Sequence, residues 1–217
     1  MKKLLLIAFI ALVAYSANAQ GIKFGLAGSP QVSWFKIDNT DLENDGAKLG
    51  FTYGIMIEYA IGSNERYNFS SGVFISHTGG KYSIPDSSIA GKFVRHRTLN
   101  LQYIEIPVTF RLRTNEIGYI TYFGQFGVLP GLKIRSRYDE TYEPNPLNIS
   151  VENERFENAI VINMGLFISG GIEYALSEST ALLFGLYFNN GFTNVINDDD
   201  KEKISVNNLG LRVGVLF

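Results

Sequence analysis

Over most of the chain, hydrophobic and polar positions alternate with a period of two. The last segment shows it most plainly. Leu209, Leu211, Val213, Val215 and Phe217 fall on one face, and Asn208, Gly210, Arg212, Gly214 and Leu216 on the other. Successive strand side chains point to opposite faces, so this run predicts a strand with one apolar wall. A sixth segment sets Ile160, Ile162, Met164, Leu166, Ile168, Ile172 and Tyr174 against Val161, Asn163, Gly165, Ser169, Gly171 and Glu173, with Phe167 out of pattern. The second sets Phe51, Tyr53, Ile55, Ile57 and Tyr59 against Thr52, Gly54, Met56, Glu58 and Ala60. The fourth sets Ile104, Ile106, Val108, Phe110 and Leu112 against Tyr103, Glu105, Pro107, Thr109 and Arg111. Four looser segments cover residues 22–37, 67–78, 119–129 and 182–188. The first of these reads as broken near Gly28-Ser29-Pro30. Pro107 removes a ladder donor, so a pairing defect is expected there. The total is eight strands.

The connections alternate in length. Residues 38–47, 79–98, 135–158 and 197–201 make long ones; residues 62–65, 114–116 and 177–179 make short ones. Long connections at one end and short turns at the other predict an all-β, eight-stranded antiparallel up-and-down barrel. Outer-membrane barrels carry short periplasmic turns and long extracellular loops.

Alternation does not say which face points inward. A soluble barrel or sandwich would put the apolar wall inside and charge outside. Here the opposing faces are rich in Gly, Ser, Thr and Asn and carry few charges, namely Glu58, Glu105, Arg111, Glu173 and Arg212. That makes a poor wet surface and a good packed interior. The walls also end in Tyr59, Phe110, Tyr174 and Phe217, as an aromatic girdle at the periplasmic interface would. The expectation is a transmembrane barrel with its apolar walls in lipid.

The beginning of the chain agrees with export. Lys2 and Lys3, the apolar run 4–13 and Ala17-Asn18-Ala19 have the form of a cleaved signal peptide over residues 1–19, leaving a barrel domain over 20–217. Position 20 is Gln, not the Cys a lipoprotein needs. Without the leader, 17 basic and 21 acidic residues remain, so binding of nucleic acid through bulk positive charge is not expected. No Cys is present, which excludes disulfides and thiolate chemistry. The 22 glycines, 29 aromatics and a charged fraction of only 18% suit the same architecture.

Residues 101–108, Leu-Gln-Tyr-Ile-Glu-Ile-Pro-Val, resemble the "YLEIP" strand of the outer-membrane β-barrel family that includes the type IX secretion component PorT. Arg113-Thr114-Asn115-Glu116-Ile117-Gly118 and Tyr122-Phe123-Gly124-Gln125-Phe126-Gly127 are similar to PorT-like, porin-family chains of Bacteroidetes. The resemblance implies the eight-stranded fold and an outer-membrane address. It suggests a non-enzymatic structural, binding or assembly role, with a link to protein secretion. A narrow transport or permeability protein is the alternative, and a rim-site enzyme the lesser one. Phe217, in phase with the apolar wall, resembles the signature read by the outer-membrane assembly machinery.

An eight-stranded barrel is just wide enough to be filled by side chains. Glu58, Glu105, Arg111, Glu173 and Arg212 are therefore expected to form an interior charge network, since buried charges must be paired. Lys92, Arg95, His96 and Arg97 form a loop basic patch suited to lipopolysaccharide phosphates or an acidic partner. His77 and His96 lack the spacing of a catalytic or metal pair. Asp198, Asp199 and Asp200 offer oxygens but not the spacing of a calcium loop. No catalytic residue, cofactor or metal site is expected. The expected partners are outer-membrane lipid, lipopolysaccharide, the assembly machinery, and a secretion-system or cell-surface protein.

Overall fold

The computed structural model describes residues 21–38, 42–62, 66–86, 93–144, 150–197 and 203–217. Their strands are β1 (Ile22–Ile37), β2 (Glu43–Gly46), β3 (Lys48–Ala60), β4 (Tyr67–Asp86), β5 (Phe93–Glu105), β6 (Val108–Arg113), β7 (Ile120–Glu143), β8 (Ser150–Arg155), β9 (Ile162–Ala175), β10 (Ala181–Gly191) and β11 (Ile204–Leu216). Every pairing is antiparallel. The ring runs β1–β3–β4–(β5, β6)–β7–β9–β10–β11 and returns to β1. Because β6 continues β5, and β2 and β8 only flank β4 and β7, the ring has eight staves. Residues 1–19, read from the sequence as a signal peptide, lie outside the described residues, as do Lys92 and Asp198 to Asp200.

The strand assignment lapses at Ile106-Pro107, where the missing N–H was expected to disturb the ladder. Register is the same on either side: Glu105 pairs Phe74 and Gly131, while Thr109 pairs Ser70 and Gly127. A true shift lies higher, between Gln102 and Tyr103, which pair Arg135 and Lys133 and leave Ile134 as the extra residue. The expected break at Gly28-Ser29-Pro30 is absent. β1 runs through in constant register with β3, with Pro30 facing outward.

Two of the four long connections, 79–98 and 135–158, are shorter than expected, because three strands run far past the apolar belt. β4 reaches Asp86, β5 starts at Phe93, and β7 extends to Glu143. With β2 on β4 and β8 on β7, they form a five-stranded sheet in the order β2–β4–β5–β7–β8 above the ring. The sequence pattern hid this extension because the polarity of the two faces reverses. Low in the barrel the outward row is apolar: Val108, Phe110 and Leu112 on β6, and Leu209, Leu211 and Val213 on β11, are all exposed. Higher up the inward row is the apolar one. Phe35, Tyr82, Leu99, Leu101, Tyr103, Ile204 and Val206 are buried together with Phe156, Ala159, Val195 and Ile196.

The outward apolar row forms a continuous belt of exposed side chains, a surface that water does not tolerate at this size and that lipid covers. On β7 it includes Tyr122, Phe126, Val128, Leu132 and Ile134. A tilted strand climbs roughly 2.5 Å per residue, so the twelve steps from Tyr122 to Ile134 rise about 30 Å, enough to cross an apolar band of about 25 Å. Tyr59, Tyr174 and Phe217 stand at the lower end of their outward rows, where the girdle was expected, and Phe110 lies above the end of its own row.

Candidate functional site: a filled lumen and its two mouths

The inward side chains fill the lumen in layers. In the lower layer, Arg111 and Arg113 meet Glu58 and Glu173. Arg111 Nη1 lies 2.5 Å from Glu58 and 3.1 Å from Glu173; Arg113 Nε lies 2.8 Å from Glu173 and its Nη2 also pairs with Glu58. Arg111 further donates to Gln125 Oε1 from Nε (3.2 Å) and Nη2 (2.7 Å). Gln125 donates to Thr109 Oγ1 (2.6 Å), and Thr109 to the Ser70 carbonyl (2.8 Å). The Phe123 ring packs 4.5 Å from the Arg111 guanidinium. Two cations and two anions face each other, the arrangement that makes buried charge tolerable, and Arg113 Nη1 is left without a hydrogen-bond partner among the described residues.

Glu105 and Arg212 are buried one layer up, and among the described residues no ion pair joins them to each other or to the lower group. Arg212 sits among the rings of Phe74, Phe167 and Tyr187 at 5.0, 5.1 and 5.0 Å, a cation–π cage. Tyr187 donates to Gln31 Oε1 (2.5 Å), and Gln31 Nε2 donates to the His77 carbonyl (3.0 Å). Thr52 donates to Ser76 Oγ (2.9 Å) and Thr78 to Asn208 Oδ1 (2.6 Å). The five charges read from the sequence thus divide between two layers. Arg113 was missed because it stands at the end of a strand beside a turn, although it shares the phase of Glu105 and Arg111.

The upper layer lies above the lipid belt. Arg97 pairs with Glu140, donates to the Tyr82 hydroxyl (3.2 Å), and lies 4.9 Å from the Tyr138 ring. Burial works against the Arg97 charge, but Tyr82 and Glu140 outweigh it and hold the group above its ordinary range. Tyr142 donates to Glu140 (2.5 Å) and Tyr138 to Glu154 (2.9 Å). Those hydrogen bonds, with a lesser contribution from burial, push both phenols up.

Arg95, His96 and Arg97 do not share a face. Arg97 points inward to Glu140, while His96 bonds Asp45 (2.7 Å) with its Nε2 3.7 Å from Glu143. His77 faces outward, its ring stacked 6.1 Å from Tyr53. His96 is opposite Ser83, six residues along β4 from His77. That is roughly 20 Å, too far for one metal ion or one reacting atom. Among the described residues no three His, Asp or Glu side chains gather at a cation-sized site. At the lower mouth, the turns around residues 114–119 and 177–180 enclose a half-open cavity of about 680 Å³ with Glu173 on its lining.

A closed ring of eight antiparallel staves, an outward apolar belt and a charge-paired interior define a small outer-membrane β-barrel. Residues 17–197 match the outer membrane protein beta-barrel domain family, and the chain belongs to it. It is an outer-membrane protein. The sequence matches no curated protein. Among solved structures it is similar to Neisserial surface protein A (14% identity, TM-score 0.44, covering 89% of this chain and 95% of that one). It is also similar to Ail, the attachment invasion locus protein of Yersinia pestis (15%, 0.39, 91% and 100%), and to OprG from Pseudomonas aeruginosa (12%, 0.39, 91% and 96%).

Proposed function

We propose that this protein is a non-enzymatic structural, binding or assembly component of the outer membrane that presents its extracellular sheet to a protein partner. One observation carries the reading: β4, β5 and β7 continue beyond the lipid belt and are built into a sheet over an apolar core. A strand extended so far past the membrane costs conformational entropy that spanning alone does not require. The layers of buried side chains below it favour presentation over conduction. The PorT-like sequence features make secretion machinery the first partner class to examine. Export with cleavage after Ala19 and recognition of Phe217 by the assembly machinery belong to the same reading.

The rival reading is a narrow transport protein, favoured by the cavity at the lower mouth. Recording from the purified barrel in planar bilayers separates the two. Electrical silence is expected, and stable unitary conductance would overturn the proposal. For the secretion link, deletion of the gene in its native host should impair export of secreted proteins; normal export would remove that part.

A further inference from the structure

The upper rim carries a cationic cleft that the lumen and the sheet do not explain. It lies between β7 and β8, has a volume of about 260 Å³, and is lined by Lys133, Arg135, Arg137 and Arg155 together with Ile134 and Glu157. Arg137 and Arg155 are direct partners across the β7–β8 ladder. Facing residues of an antiparallel pair share one face with Cβ atoms about 5 Å apart, and like charges there repel. Arg135, two residues along, falls on the same face.

None of the neighbouring acids forms a direct ion pair with these cations among the described residues, and two of them are engaged elsewhere. Asp139 accepts from the Asn153 backbone N–H (2.7 Å) and Asn100 Nδ2 (2.9 Å), and Glu154 accepts from Tyr138 (2.9 Å). Arg137 donates to the Asn153 carbonyl (2.7 Å), and Lys133 to that of Ala159. Among the described residues no ion pair joins any of the four cations to an acid. Four cations around one carboxylate, with two of them forced opposite each other, form a site arranged for an external anion.

Its height identifies the anion. The exposed apolar row of β7 ends at Leu132 and Ile134, and Arg135 follows directly. Exposed Val161 and Ile162 flank the cleft at the start of β9. A phosphate held here would have its acyl chains against that apolar wall. Guanidinium groups bind phosphate oxygens bidentately, whereas water-exposed lone arginines gain little from being clustered. We infer that the β7–β8 cleft binds the phosphorylated head group of an outer-leaflet glycolipid through Arg135, Arg137 and Arg155. This rests on the outer-membrane placement of the barrel and is independent of the protein-partner reading, so either can fail alone.

The full chain is reconstituted in phosphatidylcholine nanodiscs containing bisphosphorylated lipid A or its dephosphorylated form, and bound lipid is counted by native mass spectrometry. Wild type should retain the phosphorylated form and not the other. Arg137→Gln/Arg155→Gln should lower that retention by about tenfold or more, as loss of two charge-assisted contacts implies. The same pair should leave lipid-free thermal stability unchanged or raised, because like-charge repulsion is relieved. Arg135→Gln, whose side chain forms no hydrogen bond or ion pair among the described residues, gives the same readout should the double variant not fold, with reduced retention expected. Equal retention of the dephosphorylated lipid, full retention by Arg135→Gln, or equal stabilisation by inorganic phosphate alone would overturn the inference.

Discussion

At the scale of single residues, the buried ion group in the lower lumen is the most demanding feature of the chain. Glu58 and Arg111 are almost wholly buried, so neither charge has water to fall back on. Removing one member leaves an opposite charge stranded, which costs about 3–5 kcal/mol. Arg111→Met should therefore lower the unfolding free energy by that amount in a urea titration from lipid vesicles. Phase alone disclosed Glu58, Arg111 and Glu173, because a strand alternates strictly and a charge on the non-lipid face has only the lumen to enter. It did not disclose the pairing, which depends on which strands lie across the ring. Arg113 needed only the same phase carried two residues further. Gly80 illustrates what sequence does not reveal. A Cβ there would lie 2.6 Å from the buried ring of Phe35, a partner 45 residues away. Gly80→Ala should destabilise by about 1–3 kcal/mol through overpacking, measured in the same titration.

At the scale of elements, the eight staves were legible where one face met lipid and the other did not. The extracellular parts of β4, β5 and β7 were not, because there the outward row turns polar and the inward row apolar. On β5, Leu99, Leu101 and Tyr103 point inward; on β6, Val108, Phe110 and Leu112 point outward. Reading for a single apolar wall ends a strand at such a reversal, although the backbone continues. The lipid-facing part can be tested at Ile168, midway along the outward row from Ile162 to Tyr174 and half exposed. Ile168→Arg should cost about 2–4 kcal/mol, as cationic substitution at the bilayer midplane does in barrels. A cost near zero would mean that β9 does not face lipid there. The extracellular part can be tested by pH. Tyr138 and Tyr142 are shifted above their ordinary 10.0 by hydrogen bonds to Glu154 and Glu140. The folded sheet thus holds their protons more tightly than the unfolded chain. That contribution is complete below pH 10 and disappears as pH rises through the folded values. Hydrogen-exchange protection in β7 and β8, after correction for the base-catalysed intrinsic rate, should fall above about pH 10, and less steeply in Tyr138→Phe/Tyr142→Phe.

At the scale of the whole molecule, closing the ring is the step that removes its open edges, and the seam is β1 against β11. Its lowest rung is the backbone pair Phe24 N–H to Phe217 carbonyl (2.9 Å) and Phe217 N–H to Phe24 carbonyl (2.8 Å), with the Phe217 ring outward and part exposed. The rung is one role of Phe217, and the proposed recognition by the assembly machinery would be a second of different magnitude. As a rung it contributes two hydrogen bonds of about 1 kcal/mol each and part of an aromatic burial. A loss of that size lowers the stability of a closed barrel without abolishing it. As the proposed address for the assembly machinery, it would act before the barrel exists, and its loss would be felt in delivery. A chain lacking Phe217 should refold in lipid vesicles with a midpoint only modestly below wild type. In cells, the same chain should be depleted from the outer-membrane fraction and show little heat-modifiable barrel on gels. Normal delivery in cells would reduce Phe217 to its rung in the seam, and failure to refold in vesicles would make closure of the seam its whole role.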